Sequence, residues 1–430
     1  MIASSATAAE DSGTAGGRSL FGNFHSVFFG RLFAAFSMWM ALVVLAKLSD
    51  PETVGIYALA QAICIPVAEV SKMGLREIRA SDTMGAYRFG DYFGLRLVAA
   101  AVALVVGLAS GVLQAGGGVV FWVVAFYALA RCLELVSDMI YGLFQSHERM
   151  DYIGWSLCLI GPLSLLFLSL GYWVSGSLVV AVLGQVLAQL LVLAFYDVPM
   201  GRRRAAVAGE AFRPIWDRAA LRGLALQAMP LAFSSVLVMV ALYAPRFVVE
   251  DSLGLPALGY FAALLALAMA PSRLVNSMGM AVSVRLARYH ATGQRRAFLR
   301  FLGRMVLGVA ALGALGVALG VVFGDWLLAV VYTERYAEHG HLLVWLIAAA
   351  ALRFMSDVLQ FGMIASRRFW WLALQYGVVA LVAVAASPAL VLGHGLTGAG
   401  MAMVLIFSAQ LIVISVSLLF NLPRRSDASE

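Results

Sequence analysis

Twelve apolar stretches, each about as long as a membrane is thick, constrain this chain more than any other feature. A bilayer core about 30 Å thick needs roughly 20 apolar residues per helix. The stretches lie at residues 27–48, 54–74, 92–113, 119–142, 153–173, 177–196, 222–245, 257–279, 303–330, 341–364, 370–392 and 397–420. Hydrophobic residues make up 62% of the chain and charged residues 12%, which is unlike a soluble domain. The sequence therefore predicts an all-α integral membrane protein with about twelve transmembrane helices.

The basic residues gather in the loops on one side of this predicted bundle. If the N-terminus is cytoplasmic, most of the 30 Lys and Arg residues lie on the cytoplasmic side, and only Lys47, Arg246 and Arg335 lie on the outer side. Short loops follow the positive-inside rule, so both termini are predicted to be cytoplasmic. The net charge of +7 then reflects membrane topology, and nucleic acid is not an expected partner.

Two internal similarities divide the chain into halves. Pro66 stands eight residues before Gly74, as Pro271 stands eight before Gly279. The segments VSDMIYGLFQSHER and MSDVLQFGMIASRR, residues 136–149 and 355–368, align without gaps at the ends of helices four and ten. The predicted parts are a disordered tail at 1–20, six-helix halves at 21–196 and 222–420, a cytoplasmic linker at 197–221 and a tail at 421–430. Parallel repeats of this kind favour a central cavity that closes alternately at either membrane face.

Three segments carry a resemblance to a known family. AKLSDPETVGIYALAQ (46–61), KMGLREIRASD (72–82) and GLFQSHERMDYIG (142–154) resemble the polysaccharide transporters of the multidrug, oligosaccharidyl-lipid and polysaccharide exporter superfamily. With the two-by-six layout, the resemblance covers nearly the whole chain. It implies a bundle like that of the multidrug exporters, and a flippase that moves undecaprenyl-pyrophosphate-linked oligosaccharide across the bacterial inner membrane.

The same resemblance implies the partners and the main alternative. Besides the lipid-linked oligosaccharide and membrane lipids, a polysaccharide polymerase and a chain-length regulator are expected partners. The superfamily also contains drug exporters and the lipid II flippase, so a drug or metabolite exporter is the alternative function on this fold. A drug exporter would have an apolar or acidic cavity, whereas a pyrophosphate lipid calls for a cationic one.

Four arginines inside the predicted spans are the candidate substrate-binding residues: Arg31, Arg131, Arg273 and Arg353. A charge near the bilayer centre is costly and should face protein or water. Arg131 and Arg353 are the deepest, on helices four and ten, and we expect them to face one cavity and bind an anionic headgroup, because a guanidinium binds pyrophosphate with two parallel hydrogen bonds. The other interpretation is structural, since Glu134 and Asp357 stand at spacings that permit ion pairs within the helix.

The acidic residues of the spans are candidates for coupling or gating: Glu69, Glu134, Asp138 and Asp357. A carboxyl in a low-dielectric site can exchange a proton or bind sodium during transport, so a proton or sodium gradient is the expected energy source. Pro66 and Pro271 are predicted either as hinges or as static kinks, because proline is the commonest cause of a kinked helix.

Several other functions lack the residues they need. Lys47 and Lys72, the only two lysines, do not follow glycine, so the chain has no phosphate-binding loop for ATP. The cysteines show no CxxC spacing, and neither a zinc site nor a disulfide nor any cofactor is expected. A membrane polymerase or glycosyltransferase remains a less favoured alternative, because the predicted outer loops are too short for a catalytic domain. The chain is therefore not expected to be an enzyme.

Overall fold

The predicted all-α membrane fold is confirmed by the structure, a computed structural model. It describes residues 20–82, 85–115, 118–272, 275, 282, 285–289, 291–365 and 369–421. Within these residues the regular elements are helices, and ten of the helices are long and apolar enough to cross a membrane.

The N-terminal half contains eight helices and one π-helical turn. They are α1 (Leu20–Leu48), α2 (Pro51–Lys72), α3 (Leu75–Ser81), α4 (Phe89–Ala115), α5 (Gly118–Ser146), α6 (Met150–Ser175), α7 (Leu178–Val192), the π-turn (Leu193–Asp197) and α8 (Val198–Val207). The C-terminal half contains α9 (Arg218–Met269), α10 (Arg295–Val331), α11 (Glu334–Ala337), α12 (Gly340–Ala365) and α13 (Phe369–Asn421).

Two helices are twice the length of a membrane span because each is a pair of crossings. α9 has 52 residues and breaks at Gly254 (φ 84°), and α13 has 53 residues and breaks at Gly395 (φ 58°). A Cβ on Gly398 would collide with the carbonyl of Leu390, eight residues earlier, whereas a straight helix would hold the two about 12 Å apart. Only glycine adopts such dihedral angles readily. Counting α9 and α13 twice gives the twelve predicted crossings.

The second crossing begins and ends at local sequence signals. Asp50 caps α2 by accepting a hydrogen bond from the backbone N–H of Thr53 (2.9 Å), and Pro51 occupies the first turn. The helix continues through Pro66 to Lys72, where Met73 (φ 50°) and Gly74 (φ 61°) turn the chain into α3. The change of direction therefore lies after Lys72, and a hinge at Pro66 stays a prediction.

The sixth crossing is longer than its apolar run. The prediction ended this span at residue 196, but the helix continues through the π-turn and α8 to Val207. Pro199 has no N–H to bond the carbonyl four residues earlier, and its ring crowds that carbonyl, so a wider turn forms just before it. As a result Asp197, which the sequence placed at the start of the linker, is fully buried.

The rest of the predicted linker is fixed to the N-terminal half. Glu210 pairs with Arg79 of α3 (2.5 Å), and the ring of Phe212 stacks on Phe89 of α4. The backbone N–H of Ile215 donates to the carbonyl of Gly90 (2.9 Å). The connection between the halves is therefore packed against the N-terminal half.

One set of contacts between the two halves lies at the end of the bundle that is predicted to be outer. Trp39 of α1 donates its indole N–H to the Tyr332 hydroxyl (3.3 Å), which in turn donates to the carbonyl of Ala263 (2.8 Å). Lys47 donates to the carbonyl of Val330 (3.0 Å). Glycine at position 55 lets α2 touch the backbone of α9 just after its break. These contacts close the outer end between the halves.

Candidate functional site

A cavity of about 600 Å³ lies inside the N-terminal half. Its wall comes from α1, α2, α3, α5, α6 and α7, and one residue of the C-terminal half, Tyr243 of α9, completes it. Among its lining residues are four basic side chains and three acidic ones: Arg31, Lys72, Arg76, Arg131, Glu69, Glu134 and Asp138. The charged lining is therefore basic in balance.

One chain of ion pairs runs along the cavity wall. Arg131 pairs with Glu134 one turn later on α5. Lys72 at the end of α2 lies between two carboxylates, with its Nζ 2.6 Å from Glu69 Oε1 and 3.8 Å from Glu134 Oε1. The guanidinium of Arg131 also lies 5.2 Å from the ring centroid of Tyr127, within cation–π range. Glu134 thus holds two cations from two helices.

A second set of ion pairs centres on Asp138. Arg76 of α3 lies 3.5 Å from Asp138 Oδ1, and Arg96 of α4 lies 3.0 Å from Oδ2. Arg96 is fully buried and also donates to the carbonyl of Ser71. Sequence reasoning counted Arg76 and Arg96 among the cytoplasmic-side cations and missed this role. The signal for Arg96 was its position inside an apolar run, where a buried charge must have a partner.

Uncharged polar groups form the rest of the wall. Gln185 of α7 donates an amide N–H to the Tyr57 hydroxyl (2.9 Å), and Gln189 donates to the Ser137 hydroxyl (3.3 Å). The rings of Tyr57 and Tyr127 meet edge to face, 5.7 Å apart. Amides, hydroxyls and aromatic faces together suit a ligand that presents hydroxyl groups.

A smaller cavity of about 310 Å³ adjoins the first and shares several lining residues, Tyr243 among them. Gln61 of α2 and Arg246 of α9 line it, and the Arg246 guanidinium lies 4.5 Å from the Tyr243 ring centroid. The sequence assigned Arg246 to the outer side of the membrane, but the structure places it at this cavity between the halves.

The predicted substrate residues fall in different places. Arg31 and Arg131 line the larger cavity, whereas Arg353 lines neither of the two. Arg353 Nε instead lies 3.8 Å from Asp357 Oδ2 on the same helix, α12, and its guanidinium lies 5.4 Å from the Phe407 ring centroid. Arg273 lies outside the described residues.

The remaining predicted residues divide in the same way. The larger cavity is lined by Glu69, Glu134 and Asp138. Asp357 is instead buried beside Arg353 of the same helix, α12. Pro271 lies in the turn that follows α9, and Gly279, its partner in the internal similarity, lies outside the described residues. The proposed coupling and hinge roles stay predictions.

No metal site is evident in the described part of the chain, which holds no group of three or more His, Cys, Asp or Glu side chains that could bind an ion. Cys64 and Cys132 are buried and reduced, and the Cys132 thiol donates to the carbonyl of Ala100. These cysteines are packing residues.

Residues 89–288 match a family model described as polysaccharide biosynthesis protein. The capsular polysaccharide biosynthesis protein CapF of Staphylococcus aureus is 24% identical over 322 residues, which cover 75% of this chain and 80% of that protein. Both matches concern polysaccharide biosynthesis, as the sequence resemblance predicted.

Solved structures share the fold. The lipid II flippase MurJ in an inward closed conformation aligns with a TM-score of 0.73 at 10% identity, covering 93% of this chain and 87% of that one. The eukaryotic MATE transporter AtDTX14 aligns with a TM-score of 0.65 at 11% identity, covering 93% and 95%. The Vibrio cholerae MATE transporter VcmN in its bent form gives 0.59 at 11% identity, covering 93% and 97%. These three solved structures are a flippase and two transporters, and their likeness shows that this chain shares their fold. Together with the matches to polysaccharide biosynthesis proteins, it confirms the predicted resemblance.

Proposed function

We propose that this multi-pass, flippase-like transporter of the multidrug, oligosaccharidyl-lipid and polysaccharide exporter superfamily flips an undecaprenyl-pyrophosphate-linked oligosaccharide. The movement runs from the cytoplasmic to the periplasmic leaflet of a bacterial inner membrane. The observation that carries the proposal is the cavity with a basic charge balance, in a chain that matches polysaccharide biosynthesis proteins.

Arg131 is the residue that we expect to bind the pyrophosphate. Its present partner, Glu134, also holds Lys72, so Glu134 keeps a cation when Arg131 is drawn away. A pyrophosphate offers Arg131 two parallel charge-assisted hydrogen bonds. When Arg131 exchanges Glu134 for the pyrophosphate, Arg131 keeps an anionic partner and Glu134 keeps Lys72. The exchange therefore avoids the cost of an isolated buried charge.

The rest of the cavity suits the sugar part of the substrate. Its volume of about 600 Å³ lies within the ordinary range of small-molecule sites, roughly 300 to 1,000 Å³. That space holds a pyrophosphate with the first sugars, while the polyprenyl chain stays in the lipid. Tyr57, Gln185 and Gln189 supply donors and acceptors for sugar hydroxyls.

Transport then requires the outer contacts to open. Trp39 and Lys47 hold α1 to the C-terminal half through Tyr332 and Val330, and these bonds must break before the cavity can face the periplasm. The segment around Glu210 moves with the N-terminal half because it is bound to Arg79. The halves would therefore rock against each other, in the alternating access of such repeats.

An ion gradient is the proposed energy source. Protonation of Glu134 or Glu69 would remove the negative partner of Arg131 or Lys72 and leave the cavity more cationic. The substrate delivered to the periplasmic leaflet would then serve a polysaccharide polymerase and its chain-length regulator. If flipping in vesicles were unchanged after both proton and sodium gradients are collapsed, the coupling would be wrong.

A drug or metabolite exporter on the same fold is the competing function. Such a protein would need an apolar or acidic cavity for cationic drugs, whereas this cavity has one more basic than acidic lining residue. The charge balance therefore favours an anionic substrate.

Reconstituted vesicles test the proposal directly. Undecaprenyl pyrophosphate carrying a short fluorescent oligosaccharide is placed in one leaflet, and its arrival in the other is followed with a membrane-impermeant quencher. We expect flipping by the native protein and loss of flipping in R131A. R335A removes an exposed arginine at the predicted outer end and serves as the matched control. Export of a cationic dye without flipping of the lipid would contradict the proposal and favour a drug exporter.

A further inference from the structure

Asp197 is a fully buried carboxyl that the transport site described above does not use. It is the last residue of the π-turn between α7 and α8, two positions before Pro199. π-turns within α-helices are uncommon and frequently occur at functional sites. The turn directs the carboxyl toward α6, where a second observation points to its ligand.

A chain of hydrogen bonds connects Asp197 with the cavity. The Ser156 hydroxyl of α6 donates to Asp197 Oδ1 (2.6 Å), and the Tyr141 hydroxyl of α5 lies 2.6 Å from the same Ser156 oxygen. Tyr141 lines the larger cavity. The Ser137 hydroxyl of α5 lies near the same carboxylate. The other carboxylate oxygen, Oδ2, is buried with no hydrogen-bond partner.

The charged groups around Asp197 leave it without a counter-ion. On α6, Asp151 is paired with Arg149 (2.9 Å), and Tyr152 lies beside them. On α5, Glu134 and Asp138 lie beyond Tyr141 and are paired with the cavity cations. Along the chain of Asp197 itself stand Tyr196 and three arginines of α8: Arg202, Arg203 and Arg204. Within the described residues, no Lys, Arg or His side chain forms an ion pair with Asp197.

An isolated carboxylate in an apolar interior is unfavourable unless it is paired or neutralised. Asp197 Oδ2 is buried without a hydrogen-bond partner, and no described cation pairs with the carboxylate, whereas a proton neutralises it without any additional ligand. A sodium ion would need several oxygen ligands, and the neighbours supply one carboxyl and a few hydroxyls. The proton is therefore the ligand that this site fits.

We propose that Asp197 is a proton-binding site that exchanges protons with the larger cavity through Ser156 and Tyr141. In one step, a hydronium ion in the cavity gives a proton to the Tyr141 oxygen and becomes water, Tyr141 passes its own proton to Ser156, and Ser156 passes its own to Asp197. One proton is gained, the carboxylate becomes a carboxylic acid, and both hydroxyls are restored. Release runs the same transfers in reverse.

Proton binding at Asp197 changes whether the Tyr141 hydroxyl donates a hydrogen bond into the cavity. In the ionised state the hydrogen bonds run from Tyr141 to Ser156 to Asp197, so the Tyr141 proton points away from the cavity. In the neutral state Asp197 donates to Ser156 and Ser156 to Tyr141, so Tyr141 donates into the cavity. The use of this proton to drive flipping rests on the proposed function, whereas the proton site itself does not.

Infrared difference spectroscopy on the full-length protein in detergent, titrated with acid in the absence of substrate, tests the site. We expect a carbonyl band from a buried carboxylic acid that D197N removes and that D251N, the same change at an exposed carboxyl of α9, leaves unchanged. Y141F should keep the band but slow its deuterium shift, because the route from the cavity is interrupted. A band that survives D197N would overturn the proposal, as would a band that sodium ions abolish.

Ser156→Ala covers the case in which D197N does not fold. Loss of this hydrogen bond should shift the frequency of the same band, and an unshifted band in S156A would contradict the assignment. Vesicle flipping forms the second arm: D197N should equilibrate the pyrophosphate lipid yet lose its acceleration by a proton gradient, and retained acceleration would refute the coupling. If the native protein shows the band but flips no pyrophosphate lipid, the proposed function fails and the proton site stands.

Discussion

Helices α5 and α12 carry the same Ser-Asp segment, yet they are built into the protein in different ways. On α5, Glu134 pairs with Arg131 of the same helix and with Lys72 of α2, and Asp138 pairs with Arg76 of α3 and Arg96 of α4. These α5 side chains line a cavity. On α12, Arg353 and Asp357 bond with each other, and neither lines the two cavities. Among the described residues, the N-terminal copy of the sequence pattern forms part of a polar cavity wall, whereas the C-terminal copy pairs within its own helix.

The register of the two helices explains part of the difference. In the ungapped alignment of 136–149 with 355–368, Asp357 takes the place of Asp138, and Arg353 takes the place of Glu134. Arg131 corresponds to an alanine, Ala350. The charge one turn before the shared aspartate is thus reversed, so α12 pairs within itself while α5 has acids left for cations of other helices.

The largest expected effect concerns the shared aspartate. Asp138→Asn removes the carboxylate from Arg96, which is fully buried, and breaking a buried pair costs about 3–5 kcal/mol. Asp357→Asn breaks a looser contact of 3.8 Å within one helix and leaves Arg353, whose side chain is 28% exposed, in partial contact with solvent, so it should cost less than Asp138→Asn. Thermal unfolding in detergent should show a much lower Tm for D138N than for D357N. Equal decreases in Tm would mean that the two aspartates stabilise α5 and α12 to the same extent.

The second expected effect concerns the two deep arginines. Arg131→Ala should slow flipping of the pyrophosphate lipid by about 10- to 100-fold, since a hydrogen bond to a charged group is worth about 1.5–3 kcal/mol. Arg353→Ala should change flipping by less than about threefold, because Arg353 lines neither of the two cavities. Initial rates in vesicles measure both. If R353A slowed flipping as much as R131A, α12 would also face the substrate.

The third expected effect lies where the halves join. Tyr332→Phe removes the hydroxyl that accepts from Trp39 and donates to Ala263, and each neutral hydrogen bond contributes about 1 kcal/mol. The outer end should open about fivefold to tenfold more often. Labelling of a cysteine at position 42, which is buried beside the smaller cavity, by an impermeant thiol reagent would be faster in Y332F than in the Tyr332 background. An unchanged rate would show that these bonds do not hold the end closed.

The smallest effect concerns how each half starts its second crossing. α2 is capped by Asp50, whereas the equivalent crossing of α9 follows a glycine break. The Thr53 backbone N–H lowers the pKa of Asp50. The stabilisation is therefore present above the ordinary carboxyl pKa and is lost as the pH falls through the lowered one. Asp50→Ala should cost about 1 kcal/mol near neutral pH and nothing in acid. D251A, at an exposed aspartate, controls for the lost charge. If D50A were still destabilised in acid, the role of Asp50 as a helix cap would be contradicted.

Part of the candidate site could be predicted from the sequence. An arginine and a glutamate inside an apolar span must face protein or water, which identified Arg131 and Glu134. Asp197 and Arg246 could not be found in this way because both stand at the edges of apolar runs, where a loop is the ordinary interpretation. The partners of Arg96 come from other helices, and sequence spacing reports only neighbours on the same helix.

The sequence by itself determined the all-α fold and its membrane crossings. These follow from local quantities, namely the length of apolar runs, the glycines and prolines that end them, and the high cost of a charge in lipid. Only the tertiary structure decided that the N-terminal half holds the cavity, that Arg353 turns to Asp357, and that Asp197 is buried beside Ser156. Those outcomes depend on which helix faces which and at what rotation, and a small rotation of one helix exchanges a lipid-facing side chain for a cavity-facing one.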